Sequence, residues 1–134
     1  MLKLKFNFSE SEQEDFMNGL CGYLAYDLKS KLDGKVLGIW KKLKTKSHYN
    51  SSSLDHFIFV LQCKNGKELF IDINGCYDKQ DDILKNYNDK DKFDFYVGVP
   101  SQGEYEFFKE DKRWNLYVSK ITNSIIEQMM TLTI

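Results

Sequence analysis

The dipeptide Asn65-Gly66, set between two apolar runs, constrains this chain more than any other feature. On one side stands His56-Phe57-Ile58-Phe59-Val60-Leu61-Gln62, on the other Glu68-Leu69-Phe70-Ile71-Asp72-Ile73. Asn-Gly suits the centre of a tight hairpin because both residues tolerate positive φ, while β-branched and aromatic side chains fit a pleated surface. The segment therefore predicts two antiparallel strands. An antiparallel pair at the centre of the chain argues for an α+β domain over a doubly wound parallel fold.

Apolar spacing places further elements around that hairpin. Leu2 to Phe8 alternates Leu and Phe with Lys and Asn, as a half-buried strand does. Ser9 with Glu12, and Ser11 with Glu14, form overlapping capping boxes, so a helix is expected to start there and to be interrupted by Asn18-Gly19. Leu20, Leu24, Leu28 and Leu32, with Ala25, mark one face of a second helix closed by Asp33-Gly34. Val36 to Trp40 reads as a strand, and Lys41 to Asp55 as a polar loop. A short helix is expected over Lys79 to Tyr87 and a strand over Phe93 to Val99, stopped by Pro100. Gln102 to Asp111 is expected to hold a further short strand, and Trp114, Val118, Ile121, Ile125 and Met129 fit one face of a closing helix. The expectation is one α+β domain over 1–134: a mostly antiparallel sheet packed against an N-terminal helix that carries Cys21, and a C-terminal helix.

Bulk properties bound the function. A net charge of −1 gives no global pull toward nucleic acid or an anionic membrane, so neither is an expected partner. Met1 to Phe6 is too short and too alternating for a signal peptide, and no apolar run approaches the ~18 residues of a membrane span. The 3 cysteines show no paired spacing, which points to reduced thiols and a cytoplasmic location. A single proline and frequent Lys, Asn, Tyr and Ile match the bias of an AT-rich genome, bacterial or phage. No metal or cofactor is expected. Cys63, Cys76 and His56 lack zinc-ligand spacing, Asp78, Asp81 and Asp82 read as solvated acids opening a helix, and no glycine-rich phosphate loop is present.

Three residues carry potential chemistry, in one order. Cys21 heads the second helix, His56 opens a strand, and Asp72 lies in the next strand. A thiol needs a base to become a nucleophile, and the base needs an acceptor that orients it. A helix N-terminus stabilises thiolate, so the Cys21 pKa is expected to fall, and Gly22 would let a substrate approach the backbone. The Cys21 backbone N–H with the Asn18 side chain could bind an oxyanion. Asn74 is a substitute for Asp72 as the orienting residue. His48, in the lysine- and serine-rich loop, ranks below His56 as the base. Cys63 and Cys76 are expected to pack or to lie near the surface.

This order, over Asn18 to Gly75, resembles the papain-like superfamily in its broad sense, including transglutaminase-like proteins and arylamine acetyltransferases. The resemblance rests on the cysteine followed by Leu24-Ala25 and Leu28, the strand headed by histidine, and the run apolar-Asp-apolar-x-Gly. It implies a papain-like fold with Cys21 as nucleophile, His56 as base and Asp72 as orienter, acting by acyl transfer on a protein or peptide. A glutamine oxyanion donor would have to be Gln13, which lies too far upstream to be assigned. The competing reading is a non-catalytic protein-binding module, such as a phage-borne inhibitor on the same scaffold. It would bind through Tyr105-Glu106-Phe107-Phe108 and the Lys41 to Lys46 run.

Overall fold

A computed structural model describes residues 3–43, 53–85 and 93–130. In chain order these form β1 (Lys3–Lys5), α1 (Glu10–Met17), α2 (Cys21–Lys31), β2 (Gly34–Leu43), β3 (Ser53–Gln62), β4 (Glu68–Asp72), β5 (Gly75–Tyr77), α3 (Gln80–Leu84), β6 (Phe93–Gly98), α4 (Gln102–Glu110) and α5 (Asn115–Met130). The strands make one 6-stranded sheet in the order β1-β5-β4-β3-β2-β6, and every neighbouring pair is antiparallel. The α+β architecture follows from the hairpin, as expected. Gly66 sits at the turn with φ +87°, and Asn65 Oδ1 accepts from the Lys67 N–H at 3.0 Å.

Helix α2 lies across one face of the sheet. Leu24, Ala25 and Leu28 project from it onto Phe57, Phe59 and Ile71, with Val118, Ile121 and Ile125 of α5 closing the layer. The opposite face is smaller: Ile39 and Ile58 pack there against Ile83 of α3. Each fully buried Ile, Leu or Phe contributes about 1.5–3 kcal/mol from apolar area removed from water, so the α2 face dominates stability.

Several elements differ from the sequence expectation. The first strand shrinks to Lys3–Lys5, because Phe6, Phe8 and their neighbours pass on to the Ser9 cap. The Ser9–Glu12 capping box forms, so α1 begins where expected. Helix α2 ends before Asp33-Gly34: Leu32 is already extended and Gly34 starts β2, which runs on to Leu43. The strand expected over 68–73 turns at Ile73-Asn74 and returns as β5. Gln102 to Glu110 is helix, not strand, because Ser101 and Glu104 form a second capping box. The polar loop expected over Lys41 to Asp55 gives up its ends to β2 and β3, and its middle, 44–52 with Lys44, Lys46 and His48, lies outside the described residues.

Candidate active site

Cys21 is the first residue of α2. Leu20 caps the helix without a side-chain hydrogen bond, and the first helical bond runs from the Leu24 N–H to the Leu20 carbonyl. The amide N–H groups of Cys21 and Gly22 therefore have no carbonyl of their own helix to serve, and both face the Cys21 sulfur. The Phe57 N–H also points at the thiol. Strand β3 supplies it because the β3–β4 ladder ends at the Phe59–Ile71 pair, so β3 runs past the end of β4, paired from there with β2 alone. Helix α2 enters that overhang.

His56 is held by a β-bulge. Ile39 of β2 pairs with His56, but Trp40 pairs with Leu54, so Asp55 is the extra residue. A bulge breaks the strict alternation of side chains. Asp55 and His56 accordingly meet although they are adjacent in one strand, with Asp55 Oδ2 3.1 Å from His56 Nε2. The other Asp55 oxygen lies 3.1 Å from Lys41 Nζ on the facing strand. His56 keeps only 14% of its side chain exposed.

Cys21, His56, Asp55 and Phe57 line one surface cavity of about 350 Å³, together with Asn18 and Phe108. Asn18, which caps the C-terminus of α1 and donates its N–H to the Glu14 carbonyl at 3.0 Å, thus reaches the site. Asp72 lies deeper, in the tightly packed interior layer that also contains Cys21 and His56. Its Oδ1 accepts from the Asn74 N–H at 2.8 Å and the Gly75 N–H at 3.2 Å, which ties down the β4–β5 turn. Asn74 directs its side-chain amide to the Met17 sulfur at 3.2 Å. Asp55 is thus one acid that the fold brings against the imidazole, and Asp72 lines the same interior layer as His56. A signal for the Asp55 contact is present in the sequence: Leu54 and Phe57 are apolar with two polar residues between them, a spacing that strict alternation does not allow.

Two expectations about Cys21 are corrected. Burial pushes its thiol above the usual cysteine range, outweighing the Phe57, Gly22 and Cys21 amides that act downward, and the Asp55 charge adds to the rise. The space over Gly22 is filled by the Phe108 ring, since a Cβ built there would lie 2.3 Å from Phe108 Cζ. Glycine is needed at 22 to admit Phe108, not an incoming substrate backbone. Burial also holds His56 below its usual range, with Asp55 opposing and Lys41 reinforcing that shift. Both shifts favour the uncharged forms, thiol for Cys21 and imidazole for His56.

Comparison with protein-family models, curated proteins and solved structures returned no match for this chain. Among the described residues no helix is long and apolar enough to cross a membrane.

Proposed function

We propose that this protein is a cysteine-dependent acyl-transfer enzyme of papain-like type, acting on a protein or peptide. The observation that carries this reading is that Cys21 and His56, 35 positions apart in sequence numbering, line one open cavity with three backbone N–H groups turned to the sulfur. Asp55 on Nε2 favours the tautomer with its proton there, which leaves Nδ1 as the basic nitrogen. In the acyl step the Cys21 sulfur attacks the acyl carbon and its proton passes to His56. The imidazolium returns that proton to the leaving group as the carbon–leaving-group bond breaks. Water or an amine, deprotonated by His56, then cleaves the thioester. In this reading the Cys21 and Gly22 N–H groups, with the Asn18 amide, receive the negative charge on the acyl oxygen. A neutral thiol beside a neutral base suits concerted proton removal better than a standing ion pair.

A second reading, a non-catalytic binding module, is favoured by Phe108 lying over Gly22 beside a thiol that burial keeps protonated. An activated ester separates the two. With p-nitrophenyl acetate the enzyme reading expects a burst of nitrophenolate and an acetyl group on Cys21 in the intact mass. Both should vanish in Cys21→Ser and fall about 100-fold or more in His56→Ala, with circular dichroism unchanged. Absence of the Cys21 adduct in the folded wild type would sink the catalytic reading and leave the binding module.

A further inference from the structure

A second cavity, of about 280 Å³, opens between α2, α4 and α5. Its walls are aromatic: Tyr23, Tyr26, Tyr105, Phe108 and Trp114. The rings are held by one another. Tyr26 stacks on Phe108 with centroids 5.6 Å apart and meets Tyr105 edge-on at 5.5 Å, while Tyr23 meets Phe108 edge-on at 4.8 Å. A pre-formed apolar wall of this kind costs a ligand little reorganisation.

The charges around it are unequally satisfied. Both carboxylates at the cavity are already engaged. Asp27 holds Lys31 at 2.9 Å and accepts from the Thr122 hydroxyl at 2.6 Å. Asp111 holds Arg113 at 2.7 Å and accepts from the Tyr23 hydroxyl at 2.7 Å. Lys29, Lys109 and Lys112 also border the cavity, and no carboxylate among the described residues lies within ion-pair distance of them. Lys29 and Lys109 instead rest over the Tyr105 ring, at 5.4 and 5.6 Å from its centroid. A cationic ligand would find the ring face taken and the acids neutralised. An anionic group would meet ammonium groups at the rim of an aromatic slot.

We propose that this cavity binds a small planar aromatic anion, its ring against the aromatic wall and its carboxylate or phosphate on the lysines at the rim. The volume lies just below the usual range of ligand pockets, which starts at about 300 Å³, and so favours a single ring system over a dinucleotide. Ring stacking supplies affinity, and the lysines supply selection for negative charge. The proposal does not depend on chemistry at Cys21.

Titration of the intact protein with benzoate, phenyl phosphate, benzamide and inorganic phosphate tests it, read by ¹H–¹⁵N chemical shifts. Saturable binding of benzoate or phenyl phosphate at about millimolar or tighter affinity is expected, with shifts confined to α2, α4 and α5. Whichever of the two binds more tightly identifies the anionic group. Benzamide and inorganic phosphate should each bind at least about tenfold more weakly. The double variant Lys29→Gln/Lys109→Gln changes two exposed side chains and should keep the fold while losing about tenfold or more in affinity for the aromatic anion. Equal binding of benzamide would reduce the site to an apolar groove, and equal binding of inorganic phosphate to a basic patch. Either result overturns the proposal, as does the absence of saturable binding or an unchanged affinity in the double variant.

Discussion

Asp55 and His56 are consecutive residues of one strand, yet their side chains meet, with Oδ2 3.1 Å from Nε2. The bulge opposite Ile39 and Trp40 makes this contact possible. It places one carboxylate where it acts on both reactive groups. The Asp55 charge raises the Cys21 pKa, and it opposes the depression of the His56 pKa. Asp55→Asn should therefore move both in the same direction, downward. Iodoacetamide labelling of Cys21 against pH, and the His56 ring protons followed by NMR, check this. Unmoved profiles would remove Asp55 from the site.

Reactivity of the thiols follows from burial. Cys21 is partly exposed, but its pKa lies above the usual range, so its labelling should keep rising with pH through the alkaline region instead of levelling near neutrality. Cys76 is fully buried and pushed up to about 12 by burial, with Cys63 and Asp78 adding to it. It should stay unlabelled until the protein unfolds. Peptide mapping after timed iodoacetamide treatment distinguishes the sites, and labelling of Cys76 ahead of Cys21 would contradict this account.

Gly22→Ala should cost about 1–3 kcal/mol, because the new methyl must displace the Phe108 ring from a packed position. Phe108→Ala removes the clash, so the double variant should be less destabilised than the sum of the single changes. Urea melts of the four proteins complete the cycle, and strict additivity would show that the two residues do not oppose each other.

Stability should form a plateau in pH with losses on both sides. The folded His56 pKa lies below its ordinary 6.5, so the unfolded chain binds the proton more readily and stability present above about 6.5 is lost on acidification. The folded Cys21 and Cys76 pKa values lie above 9.0, so the unfolded chain releases protons first and stability is lost as pH climbs past that value. Thermal melts from pH 5 to 10 should show both limbs, and His56→Gln should flatten the acid one. An unchanged acid limb in that variant would assign it to other groups.

Local signals in the sequence carried much of the fold. Asn65-Gly66 set the antiparallel hairpin, Ser9 and Glu12 set the start of α1, and the leucine stripe after Cys21 set which face of α2 is buried. Each depends on residues a few positions apart, whose geometry the backbone imposes directly. The helix of Gln102 to Glu110, expected as strand, carries its own local signal in the Ser101–Glu104 capping box.

Cys21 and His56 stood out as residue types in a sensible order, and the fold brings both to the wall of one cavity. Their protonation was not visible. A helix N-terminus lowers a thiol pKa, but the packing of α1, β3 and Phe108 around Cys21 makes desolvation the larger effect. That Asp55 meets the imidazole was likewise tertiary. One residue of slip in a strand reverses every side chain beyond it. The β2–β3 register decides where the extra residue falls, and that register depends on a partner strand remote in sequence.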